Sequence, residues 1–260
     1  MTHLPSGRLL LGSHGGLYAS ENGGRTWEKV DATGELESTD FMSLVPDPTH
    51  PDTLFAGGHG LGVVKSTDGG ETWSHSGDGI DGTDIHALAI NQRQSEYLFA
   101  YSTGHGVYRS SDGGASWDRL DDGPENPGVR SFAYMAVQTE MDRSMGSDNW
   151  GLLFAGTADG IYDSFSCFCG WRSTTDEFDG ATVYALATVQ ADLRTMYAGT
   201  TNGLWKSTDE GKTWDRVEDV TGRVAAVAID PADPRTVTAV TERGEVFGST
   251  DGGRGWDKRN

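Results

Sequence analysis

The chain has 260 residues, among them 37 glycines and eight tryptophans, and a formal net charge of −19. That charge excludes recognition of nucleic-acid backbones as the main task, because Lys and Arg are needed there to displace counterions. Leu9–Leu11 is the only apolar run near the start, so neither a signal peptide nor a membrane span is expected, and a cytoplasmic location follows.

Residues 7–12 (GRLLLG) form the first predicted strand, and residues 20–27 the first tryptophan-ended turn. Four short strands follow at 42–46, 53–57, 62–66 and 72–75, designated a, b, c and d. Each is a brief β-branched or aromatic run bounded by Gly, Asn or Asp, which is a strand signal. Equivalents of strand b recur at 97–101, 152–156, 196–199 and 236–240, and of strand c at 106–110, 160–164, 203–207 and 245–249. No window carries a sustained 3.6-residue apolar period, so no helix is expected. Residues 7–12 match strand b, which leaves only residues 1–5 for strand a of the first unit. Either residues 1–5 make a short strand a or the first unit has three strands, and three is the preferred expectation.

Strands c and d are joined by S-x-D-x-G-x-x-W. Four copies fit in full, with Asp68 and Trp73, Asp112 and Trp117, Asp209 and Trp214, and Asp251 and Trp256. The first copy carries Asn22 before Trp27; the sixth keeps its ends, Ser164 and Trp171, around Ser166 and Phe168. In such a turn the Asp carboxylate can accept backbone N–H groups, glycine permits positive φ, and Trp can pack between sheets. Sheets this small cannot bury their faces alone, so six repeats predict an all-β, six-bladed propeller as one domain over 1–260.

The motif resembles the Asp-box, or BNR, repeats of sialidases, sortilin-type receptors, xyloglucan hydrolases and photosystem II assembly factors. The resemblance covers nearly the whole chain and implies the fold. It implies no activity, because in those families the boxes lie away from the functional face. The excess of Asp over Glu (26 to 13) and of Arg over Lys (15 to 5) is similar to proteins of salt-in halophiles, so a haloarchaeal source is expected.

In an a-b-c-d meander the d–a loops and b–c turns share one face. The five internal d–a loops hold Asp31, Glu35, Glu37, Asp40, Asp78, Asp81, Asp84, Asp121, Asp122, Glu125, Asp176, Glu177, Asp179, Glu218 and Asp219, and no Lys or Arg. This acidic face is the expected platform for a protein or small-molecule partner of a monomeric chain. Asp78, Asp81 and Asp84 are weak calcium candidates, because their spacing is not the alternation of an EF-hand.

The b–c turns carry His14, His59 and His105 on blades one to three and Arg243 on blade six. Neighbouring turns should stand roughly 8–10 Å apart on a sheet-packing ruler, whereas Zn–N bonds are about 2 Å. Shared ligation is therefore not expected, and no metal or cofactor is assigned. Strand-a starts place His86, Arg130, Tyr184 and Arg223 at the channel rim. Arg130, Arg223, Arg243 and Tyr184 resemble a sialidase inventory, but the Arg-Ile-Pro motif of that family is absent, and the insertion at 139–150 belongs to the other face. No catalytic residue is assigned. The reading is a non-catalytic binding scaffold; the alternative is an exo-sialidase-like glycoside hydrolase. Cys167 and Cys169 read as reduced thiols.

Overall fold

The computed structural model describes residues 1–125, 128–136, 151–164, 170–174, 178, 180–189 and 192–260. Cys167, Cys169, Ser166, Phe168, Asp176, Glu177, Asp179 and the 139–150 insertion lie outside them. The repeats become six antiparallel four-stranded meanders, and no helix occurs among the described residues. The third blade is typical: Ile85–Ile90, Leu98–Ser102, Gly106–Ser110 and Asp118–Asp121. The inner strands are Thr2–His3, Ser43–Pro46, Ile85–Ile90, Ser131–Met135, Val183–Thr188 and Val224–Ile229. Each lies against the next, and the sixth returns to the first. The molecule is a six-bladed β-propeller.

The first blade is four-stranded, which corrects the expectation of three: Thr2 pairs with Leu10 and His3 with Leu9. Two residues are too few to display an alternation, and tertiary contact supplies the rest. The buried His3 ring sets its Nε2 3.2 Å from Thr238 Oγ1 of blade six.

Each full box is a hydrogen-bonded knot. Ser66 Oγ donates to Asp68 Oδ1 and accepts from the Gly70 N–H, while the Thr72 N–H donates to Asp68 Oδ1. Trp73 Nε1 closes the turn on the Gly70 carbonyl at 3.0 Å. Asn22 fills the Asp slot with its amide, Oδ1 accepting from Thr26 N–H and Nδ2 donating to Thr26 Oγ1. In the fifth blade Glu210 takes, at φ 68°, the slot held by Gly23, Gly69, Gly113 and Gly252 in blades one, two, three and six.

Some desolvation opposes ionisation of Asp68, but bonds from Thr72, Ser66 and Glu71 win and hold it at about 2. Asp112 is held at about 2 chiefly by the Ser116 hydroxyl and N–H, and Asp209 at about 2 by the Thr213 N–H and hydroxyl. A carboxylate depressed in the folded state favours folding above its unfolded pKa and loses that contribution as pH falls through the folded value. The melting temperature should therefore decline between pH ~4 and ~2. Asp112→Asn, with the amide already seen at Asn22, should make that decline shallower; an unchanged slope refutes the assignment.

Apolar packing joins the blades in pairs. Trp73 packs with Leu10 and Leu17 of blade one, Trp117 with Phe55 and Val63 of blade two, and Trp214 with Met135 and Phe154 of blade four. Trp256 packs with Tyr197 and Leu204, and the partly buried Trp171 joins the Phe99–Tyr101 cluster. Among the described residues no sixth cluster bridges blades six and one. That seam is held by the His3 contact, by Gly24 packing against Val246, and by Arg259 Nη1 donating to the Gly23 carbonyl at 2.6 Å. Trp27 there is only half-buried.

Blade two has an additional element. Thr33–Gly34, from the loop between blades one and two, pairs in parallel with the outer strand Thr72–His75.

Candidate binding site at the channel mouth

The d–a loops and b–c turns meet on one face, as the meander requires. The loop from blade one to blade two passes tightly over two b–c turns. Phe41 N–H donates to the Ser13 carbonyl at 3.1 Å and Met42 N–H to the Gly57 carbonyl at 2.8 Å. A Cβ on Gly12 would stand 2.6 Å from the Phe41 carbonyl oxygen, and one on Gly58 would collide with the Asp40 carbonyl. Glycine at both positions lets the loop set Asp40 between His14 and His59.

Asp40 Oδ2 lies 2.8 Å from His14 Nδ1 and 3.0 Å from His59 Nδ1. A carboxylate only accepts, so both Nδ1 atoms carry hydrogen and the opposite nitrogens are left as lone pairs when the rings are neutral. Burial raises the Asp40 carboxyl, but the two imidazole bonds outweigh it and hold it below the usual carboxylate range. The next loop brings Asp84 to His59 and to His86 on strand a of blade three. His59 Nε2 and His86 Nε2 are 3.1 Å apart. Burial lowers the His86 pKa against the pull of Asp84.

The histidines therefore converge, contrary to the spacing expected from sequence: ring centroids are 5.4 Å apart for His14–His59 and 4.8 Å for His59–His86. The ruler measured backbone separation, whereas the side chains lean together on shared carboxylates. His105 does not join them. Its carbonyl accepts from Arg119 Nε at 2.7 Å, and its ring stands beside Gly82. Asp40 was the residue that sequence reasoning missed; it was one acid among fifteen. The close loop approach at Gly58 marks it only in three dimensions.

The calcium candidates are dispersed. Asp78 pairs with His75 and Asp81 accepts from the Tyr108 hydroxyl, so Asp84 alone reaches the histidine cluster. Two further loop acids, Asp121 and Asp122, have partners within the fold. Trp171 Nε1 donates to Asp121, and Asp122 pairs with Arg119. Burial raises the Asp121 carboxyl.

Along the axis lies a cavity of about 400 Å³, lined by all six inner strands and by Arg130 and Tyr184. Arg223 stacks over the Tyr184 ring at 4.0 Å and Arg130 lies 5.6 Å from its centroid. Arg223 Nη1 also pairs with Glu242 at 2.9 Å, while its buried Nε has no partner. Arg243 remains on the exposed turn of blade six, near Glu245. The rim thus runs from His86 through Arg130 and Tyr184 to Arg223 on consecutive blades.

The BNR/Asp-box repeat family model matches residues 64–75, the second-blade box. A GH74 enzyme from Niastella koreensis superposes with a TM-score of 0.71 at 19% identity, over 99% of this chain and 44% of that one. A chain of a nidogen/laminin complex superposes at 0.68 with 12% identity, over 96% and 92%. A vacuolar protein sorting/targeting protein 10 from Sordaria macrospora is 38% identical over 56 residues, 21% of this chain and 4% of that protein. This chain thus spans less than half the length of that GH74 enzyme and a small part of the sorting protein. Likenesses at such identities speak for the fold, and with the box geometry they support an Asp-box β-propeller.

Proposed function

We propose that this propeller is a non-catalytic binding module, holding a protein segment or small ligand between its acidic loops and the channel mouth. The observation that carries the reading is the Arg130–Tyr184–Arg223 stack, beside a 400 Å³ axial cavity and within a rim of carboxylates. Stacked guanidiniums present planar donors to an anionic group, and the surrounding acids favour a basic surface around it. The nidogen/laminin likeness supports this use of the fold by analogy only.

A sialidase-like reading requires a third arginine and a carboxylate acting on the tyrosine. Among the described residues only Arg130 and Arg223 lie over the Tyr184 ring, and no carboxylate hydrogen-bonds Tyr184.

A fluorescent oligolysine peptide serves as probe. Its affinity should fall about tenfold when Glu37, Glu218 and Asp219 are all changed to their amides, and steeply with added salt. Neutralising Glu71 and Asp52 on the box face should leave it unchanged. Equal losses from both variant sets would discard the acidic-face reading. Turnover of sialosides or β-glucosides that disappears with Arg130→Ala would replace it with the hydrolase.

A further inference from the structure

Three Lewis bases converge beside the channel mouth. His59 Nε2 and His86 Nε2 are 3.1 Å apart, and Asp84 Oδ1 lies 3.3 Å from His86 Nε2 and 3.7 Å from His59 Nε2. Asp84 Oδ1 is nevertheless a buried oxygen without a hydrogen bond, because neither ring aims an N–H at it. With the His59 Nδ1 hydrogen committed to Asp40, the His59 Nε2 lone pair points into the same space. One proton between the two imidazoles leaves the carboxylate oxygen unanswered; a cation at the centre answers all three.

We propose that His59, His86 and Asp84 bind a divalent transition-metal ion, zinc by their geometry. The circle through the three donor atoms has a radius of about 2.0 Å, the base required by a tetrahedral ion with bonds of about 2.1 Å seated just outside their plane. Their separations bracket the edge of roughly 3.3 Å that a tetrahedron with such bonds requires. Two imidazoles and one carboxylate are a borderline donor set that suits zinc over calcium. Three protein ligands leave a fourth position for water or a donor atom of a bound molecule.

The surroundings match what a metal-bound histidine needs. Asp40 takes the Nδ1 hydrogen of His59, which fixes its tautomer and turns Nε2 inward. The Val129 backbone bonds His86 in the sense that favours a hydrogen on that ring. His14 shares Asp40 but keeps outside the triangle, stacked on His59. A chain of net charge −19 also concentrates cations at its surface. The site does not depend on what else the face binds.

The test is calorimetric titration of the chelator-stripped chain with Zn²⁺, paired with Co²⁺ absorption. One saturable site is expected, with visible Co²⁺ bands of tetrahedral intensity. His86→Ala or Asp84→Asn should weaken binding at least ~100-fold and remove the bands. Asp40→Asn should weaken it about 10–100-fold through the lost orientation. His75→Ala, outside the triangle, should bind as the parent does. Asp84 is partly exposed, so its amide variant decides the matter should His86→Ala fail to fold. No saturable binding by the parent chain, or parent-like affinity in Asp84→Asn, overturns the site.

Discussion

Trp117→Ala should lower the free energy of unfolding by about 3–5 kcal/mol, the range for truncating a buried large aromatic. Trp117 is 4% exposed, packs against Phe55 and Val63 of the preceding blade, and donates Nε1 to the Ser76 carbonyl at 2.8 Å. Its loss opens a cavity between two sheets and strands that carbonyl. Trp27→Ala should cost only about 1–2 kcal/mol, because its indole is half-buried at the seam and bonds a carbonyl of its own turn. Denaturant unfolding of both variants checks this. Equal costs would mean that the seam is packed as densely as the other joints.

Gly199→Ala should destabilise the ring by about 1–3 kcal/mol, although it adds a single methyl group. The new Cβ would stand 2.8 Å from Val224 Cγ1 and 2.9 Å from the Val224 carbonyl oxygen. Gly57 and Gly156 sit at the same step of strand b, and a Cβ there would meet Ile85 and Val183 of the next blade at 2.6 Å and 2.8 Å. These glycines admit the first aliphatic residue of the neighbouring inner strand. Blade three carries Tyr101 at this step and packs it edge-on against Phe132. Adding Val224→Ala should recover part of the loss by removing Cγ1 but not the carbonyl contact. A double-mutant cycle reads that coupling; a neutral Gly199→Ala would end the argument.

Much of the fold was written locally. Box, tryptophan and strand pattern repeat with the same internal spacing, so the number of blades and the order of strands could be read from residues 20 to 256. The first inner strand could not, because Thr2–His3 is defined by Leu9, Leu10 and Thr238 rather than by its own pattern. The rim residues His86, Arg130, Tyr184 and Arg223 followed from counting to the start of strand a. The joining of His14, His59 and His86 did not follow, since it depends on how far side chains lean and on a loop laid over Gly12 and Gly58. Separating bound acids from free ones likewise needed coordinates: Asp121 and Asp122 look alike in sequence, yet one takes an indole and the other an arginine.

The short parallel pairing of Thr33–Gly34 has a consequence for how copies of this molecule meet. A sheet's last strand is a template on which another chain can continue hydrogen bonding, unless shortness or charge discourages it. All six outermost strands are short, and five also carry acid, Lys or Arg residues: Glu28–Lys29, Asp118–Asp121, Trp171–Ser173, Asp215–Val217 and Asp257–Lys258. Thr72–His75 has neither acid nor Lys or Arg, and it is the one the extra segment lies against. Strand-to-strand growth is thus discouraged at the described outer edges, by charge at five and by occupancy at the sixth.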